Sequence, residues 1–72
     1  YAEPTAAILG FLGNVYFKAG EYNKACRALS KALHKAPGNS KYLEALGMAT
    51  MAKGTPARAI PLFLKSLRAD PF

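Results

Sequence analysis

The sequence predicts an all-α fold made of two antiparallel helical hairpins, and three observations carry that expectation. The chain matches itself at a spacing of 34 residues: Leu9, Leu12, Gly13, Gly20, Ala25, Lys31, Leu33 and Pro37 recur as Leu43, Leu46, Gly47, Gly54, Ala59, Lys65, Leu67 and Pro71. A fixed period of that length marks a repeated supersecondary unit rather than one irregular domain. Apolar residues also recur at helical spacing, with almost no strand-like alternation. Finally, glycines and prolines punctuate the chain into four segments of helix length.

Each element follows from its own residues. Ile8, Leu9, Leu12, Val15 and Tyr16 have the i, i+3, i+4, i+7 spacing of a helix with one buried face, and Gly20 ends it. A second helix is predicted from about Tyr22 to Ala36, burying Tyr22, Ala25, Cys26, Leu29, Ala32 and Leu33 before Pro37-Gly38-Asn39 breaks it. Ser40 is suited to cap a third helix running to about Lys53. Glu44 falls in its first turns, where negative charge suits the helix dipole. Gly54 closes that helix, and Thr55-Pro56 reads as N-cap and first position of a fourth. The fourth helix turns Ala59, Ile60, Phe63, Ser66 and Leu67 inward until Asp70-Pro71 stops it. Pro61 removes a backbone donor inside this helix and crowds the carbonyl of Ala57, which predicts a slight bend. Small residues at Gly13 and Ala25, and at Gly47 and Ala59, are placed where paired helices cross closely. The repeats are therefore drawn at residues 6–39 and 40–72.

These positions resemble the tetratricopeptide repeat. Leu9, Leu12-Gly13, Tyr16, Gly20, Tyr22, Ala25, Leu29, Ala32 and Pro37 follow its spacing in the first copy. Leu43, Leu46-Gly47, Gly54, Ala59, Phe63 and Pro71 follow it in the second. The resemblance covers the chain from about Ala6 to the end. Leu9 and Leu43 replace the large aromatic of the motif, and Thr50 and Ser66 replace its Tyr and Ala, so the second copy is the weaker match. The resemblance implies a right-handed α-solenoid stack. Such stacks usually hold about three repeats and a polar terminal helix; with two repeats, no capping helix and Tyr1 in place of Met, the sequence is expected to be part of a longer array.

Composition agrees with a folded helical domain and narrows the function. Hydrophobic residues make up 51% of the chain, yet no apolar run approaches the ~20 residues of a membrane span. The single cysteine, Cys26, allows no internal disulfide and aligns with Ile60, as a small core residue would. His34 aligns with Arg68 and falls on a solvated flank, out of reach as a catalytic partner for that thiol. One His, one Cys and the scattered acids Glu3, Glu21, Glu44 and Asp70 provide neither a metal site nor paired carboxylates for acid-base chemistry. Gly10, Gly13 and Gly20 do not open a phosphate loop after a strand. The expectation is a non-enzymatic protein with no cofactor and no metal. Its compartment is not encoded, the cytoplasm being only marginally favoured.

Two surfaces are candidates for binding. In tetratricopeptide proteins the first helix of each hairpin lines a concave groove that holds a partner's peptide or helix. By position the resemblance implies Ala7, Gly10, Asn14, Phe17 and Lys18 from the first copy, with Lys41, Glu44, Ala45, Met48 and Met51 from the second. Phe17, Met48 and Met51 would form a deformable apolar floor, or would equally serve to pack on a neighbouring repeat. A subtype of the family clamps the C-terminal carboxylate of heat-shock chaperones. Asn14 matches the first asparagine of that clamp, but Gly10 stands at its lysine and Ala45 at its second asparagine, which argues against such binding here. The second surface is a basic stripe of Lys24, Arg27, Lys31 and Lys35, extended by Arg58, Lys65 and Arg68, on a chain of net charge +6. It favours acidic proteins, nucleic acid or anionic lipid, or is simply solubilising. Nucleic acid is disfavoured because no aromatic residue interleaves with the basic ones. The expected partner is a protein or peptide. Two alternatives stay open: a basic convex surface that binds nucleic acid or anionic surfaces, and self-association through Ile60, Leu64 and Leu67 or service as a spacer in a longer solenoid.

Overall fold

The computed structural model describes residues 5–69. It contains four helices: α1 (Ala6–Lys18), α2 (Tyr22–Lys35), α3 (Ser40–Lys53) and α4 (Pro56–Ala69). No strand occurs among the described residues. The helices pack in sequence, α1 on α2, α2 on α3 and α3 on α4, with a lighter contact between α1 and α3. Two helical hairpins therefore stack side by side, and the α2/α3 contact joins them.

Both hairpins close their first helix in the same way. The Glu21 N–H donates to the Tyr16 carbonyl at 2.8 Å and the Gly20 N–H to that of Phe17 at 3.1 Å. Thirty-four residues later, Thr55 donates to Thr50 at 2.9 Å and Gly54 to Met51 at 3.1 Å. This paired closure needs a left-handed residue just past the helix, and Gly20 and Gly54 supply it at φ 81° and 100°. The repeat in the sequence is thus a repeat in hydrogen bonding.

Helix starts differ from expectation. Asn39, not Ser40, caps α3, its side-chain oxygen accepting from the Tyr42 N–H at 3.1 Å while Ser40 is already helical. Thr5 caps α1 by accepting from the Ile8 N–H at 3.2 Å. Glu44 lies past the first turn of α3, where it gains little from the dipole. Helix α2 ends at Lys35, one residue short of the predicted Ala36. At the α3/α4 junction Thr55 precedes Pro56 as predicted, but its hydroxyl donates backward to the Thr50 carbonyl at 2.9 Å. Helix α4 runs unbroken through Pro61, which is exposed, so water can reach the carbonyl that loses its partner. The Asp70-Pro71 stop, the repeat boundary at 72 and Glu3 lie outside the described residues.

The centre of the core is Ala25, Leu29, Leu46 and Ala49, drawn from α2 and α3, with Tyr16, Phe17, Cys26, Leu33, Ala45 and Leu62 packed around it. Glycine lets helices come close at equivalent places in the two hairpins. A β-carbon on Gly13 would fall 2.5 Å from the Leu29 side chain, and one on Gly47 would fall 2.8 Å from the Phe63 ring. Leu29 and Phe63 are themselves 34 residues apart, so the same knob enters the same gap twice.

Several residues expected inside are not. Ile8, Leu12 and Val15 on α1, and Ile60 and Leu67 on α4, are exposed, Ile60 at 60%. Leu9 is buried as predicted, and the other buried places go to small residues, Gly10 and Gly13 on α1 and Ala59 and Ser66 on α4. The reason is geometric: α4 packs on α3 alone and α1 on α2 with a light contact to α3, and close approach selects glycine, alanine and serine where these helices touch their neighbours. Tyr22, Cys26 and Leu33 on α2 and Phe63 on α4 are half-buried rather than fully enclosed.

Candidate functional site

Helices α1 and α3 are the first helices of the two hairpins, and a groove of about 420 Å³ runs between them. Its α1 wall is Ala7, Gly10, Phe11 and Asn14. Lys41, Tyr42, Glu44, Ala45 and Met48 form the α3 wall. The groove exists because Gly10 has no side chain: the Tyr42 ring lies where a β-carbon would stand, and α3 thereby docks onto α1. The contact also explains why nothing longer than glycine fits at position 10 without displacing that ring.

Chemically the groove is mixed. Phe11 at 67% exposure and Met48 at 45% offer apolar surface, while Asn14, Lys41 and Glu44 are exposed polar groups of both signs. Such a lining suits a peptide that places apolar side chains on Phe11 and Met48 and pairs its polar groups along the edge. The amide of Asn14 can donate to and accept from a peptide backbone.

Of the residues singled out from the sequence, Asn14, Lys41, Glu44 and Met48 line this groove, as do Ala7, Gly10 and Ala45. Phe17, Lys18 and Met51 do not line it. Phe17 is half-buried against the core with its ring 5.5 Å from Tyr22, tilted by 58°. Met51 and Lys18 are exposed at the far end of their helices. Phe11 and Tyr42 are groove residues that sequence reasoning missed. Phe11 lies one turn from Ala7 and Asn14, a spacing that was available in the sequence; Tyr42 depends on its contact with Gly10, which was not.

The basic stripe is also placed. Lys24, Arg27, Lys31 and Lys35 are all exposed along α2, as are Arg58, Lys65 and Arg68 on α4. Lys24 is engaged twice, bonded to Glu21 at 3.1 Å and lying 5.8 Å from the centre of the Tyr16 ring. His34 is exposed, and Cys26 is a half-buried free thiol. Among the described residues no three His, Cys, Asp or Glu side chains converge as a metal site would require, and no helix is long and apolar enough to cross a membrane.

Paired antiparallel helices, joined by the same glycine closure at a fixed period and leaving a groove between their first helices, define an α-helical repeat protein. The tetratricopeptide repeat profile matches residues 12–72, and the chain belongs to that family. No curated protein matches the chain. Tetratricopeptide repeats are in general protein-interaction scaffolds and typically not enzymes.

Proposed function

We propose that the chain is a protein-interaction module that holds a partner's peptide or helix in the α1/α3 groove, the concave side of the repeat stack. The groove itself carries this reading, because it combines exposed apolar anchors, Phe11 and Met48, with the polar edge of Asn14, Lys41 and Glu44. A few central anchors usually hold most of the energy of such a contact. Alanine at Phe11 or Met48 is expected to weaken peptide capture by ~2 kcal/mol each, measured by isothermal titration against the peptide selected by the wild-type chain from a displayed library. Equal affinity in both variants would refute the groove as the binding surface.

A second reading rests on the outer helices. Exposed Ile60 and Leu67 on α4 are the 34-residue equivalents of Cys26 and Leu33, which α2 packs inward at the α2/α3 contact. On α1, exposed Phe11, Leu12 and Val15 correspond to Ala45, Leu46 and Ala49, which α3 packs with α2 in the core, and Ile8 corresponds to Tyr42, which meets α1 at Gly10. The two end faces thus continue the internal interface, and a second copy stacked head to tail would cover them. Sedimentation velocity should show mass rising with concentration in the wild-type chain and a monomer in Ile60→Glu. A wild-type monomer at millimolar concentration would remove this reading and leave the groove reading intact.

A further inference from the structure

A second cleft lies away from the α1/α3 groove, between α2, the end of α3 and α4. It consists of two adjoining hollows of about 400 and 460 Å³ that share Cys26, Ser30 and Lys53. Four cations rim it: Arg27 and Lys31 from α2, Lys53 from the last turn of α3 and Arg58 from the first turn of α4. Only two carboxylates occur among the described residues, and neither lines the cleft. Glu21 is bonded to Lys24, and Glu44 belongs to the α1/α3 groove. Arg58 stands at the positive end of its own helix dipole, in a first turn that holds no acid. Among the described residues no carboxylate therefore offsets the positive charge gathered here, and only Lys53 gains from a helix dipole, at the C-terminal end of α3. Like charges brought together at the rim of an open hollow repel one another, and a bound anion relieves that repulsion.

The floor of the cleft decides which anion. Leu46, Pro61 and Leu62 line the first hollow together with Thr50, Thr55 and the Cys26 thiol, so an aliphatic strip lies beneath the cationic rim there. Among the described residues no aromatic ring lines the cleft, which leaves nucleobases without a stacking surface there. From the unpaired cationic rim over an aliphatic floor we infer that this cleft docks an acidic peptide segment, one aliphatic side chain filling the recess and flanking carboxylates meeting Arg27, Lys31, Lys53 and Arg58. Peptide and scaffold then combine apolar burial with charge-assisted hydrogen bonds, the guanidinium groups of Arg27 and Arg58 gripping carboxylates in bidentate fashion. This surface is separate from the α1/α3 groove, so a scaffold with both sites occupied would bridge two partners.

Cys26 makes the cleft testable, because it is the sole cysteine of the chain and lies in both hollows. The probe is a fluorescein-labelled peptide of one leucine flanked by glutamates, titrated by anisotropy. Lys53→Glu combined with Arg58→Glu is expected to weaken binding about 10-fold or more and to flatten its salt dependence. Lys18→Glu, outside both the cleft and the α1/α3 groove, should leave affinity within about twofold, and saturating peptide should slow alkylation of Cys26 by iodoacetamide. Circular dichroism checks that the double variant stays helical; if it does not, Arg27→Gln with Lys31→Gln takes its place with the same expected direction. The inference is overturned by any of four results: full affinity in a folded reversal variant, an unprotected Cys26, equal binding of a peptide with the leucine replaced by glutamate, or tighter binding of oligouridylate than of the peptide. Because Phe11→Ala disables the α1/α3 groove and the charge reversals do not, failure of one site is distinguishable from failure of the other.

Discussion

The two hairpins share a backbone plan but hold it with different chemistry. In the first, the closing contacts are apolar and aromatic: Leu29 fills the gap at Gly13 and is 1% exposed, Ala32 is fully buried, and Tyr16 packs on the core under Lys24. In the second, Phe63 fills the gap at Gly47, but hydroxyls stand where the first has Tyr16 and Ala32. Thr50, where the first hairpin has Tyr16, donates to the Gly47 carbonyl at 2.8 Å, and its own carbonyl accepts from Thr55. Ser66, where the first has Ala32, donates to the Ser40 carbonyl at 3.0 Å and ties the end of α4 to the start of α3. No buried side-chain polar atom among the described residues lacks a partner. The departures of the second copy from the family motif are therefore not defects left unfilled. A buried hydroxyl is tolerated when it is bonded, and costs ~1–3 kcal/mol when it is not.

The comparison is broken most sharply at the two knobs. Leu29→Ala removes a fully enclosed side chain and should destabilise by ~2–5 kcal/mol in urea unfolding. Phe63→Ala empties the equivalent gap at Gly47, but the ring is only half-buried, so about half the ~3–5 kcal/mol of a fully buried phenylalanine is expected. Equal losses would mean that the hairpins are closed alike after all.

The hydroxyl ties sharpen the difference at lower cost. Ser66→Ala installs the residue of the first hairpin at this site and loses one hydrogen bond, for ~0.5–1.5 kcal/mol. In Ser66→Val the loss should be larger, because a branched side chain must enter the close α3/α4 approach. Amide exchange near Ser40 and Ser66 should quicken in Ser66→Ala while that of α1 and α2 stays unchanged. A rise in stability on Ser66→Ala would show that the tie is not stabilising.

The smallest expected effect separates the two N-caps. Asn39→Ala removes a half-buried cap at the junction of the hairpins and should cost ~1 kcal/mol. Thr5→Ala acts at an exposed helix end that can fray, for ~0.5 kcal/mol. Thermal melts of the two variants side by side check the order; a greater loss at Thr5 would reverse it.

Much of this architecture was open to reading from the residues. The 34-residue period, the glycine closures and the turn at Pro37-Gly38-Asn39 are local or repeated signals, and the observed helix ends fall on them or within one residue. The groove was readable in part, since Asn14, Lys41, Glu44 and Met48 follow from position within a repeat. Phe17 was not, because its ring turns toward Tyr22 and the core, a choice made by neighbours rather than by spacing.

What the sequence by itself determined is the repeat, the four helices and the family, because backbone conformation at glycine, proline and caps is chosen by a few adjacent residues. Only the tertiary structure decided which apolar faces are covered. Ile8, Val15, Ile60 and Leu67 have the helical spacing of core residues, yet they remain exposed because α4 packs on α3 alone and α1 packs on α2 with only a light contact to α3, whereas α2 is covered by two helices and α3 by three. Periodicity says that a helix has an apolar face; burial needs a partner at that face, and the number of partners is a property of the assembled stack. The cationic cleft has the same origin. Lys53 and Arg58 flank the α3/α4 turn, but Arg27 and Lys31 are remote from them in the chain, and it is the packing of α2 on α3 that brings these charges to one recess.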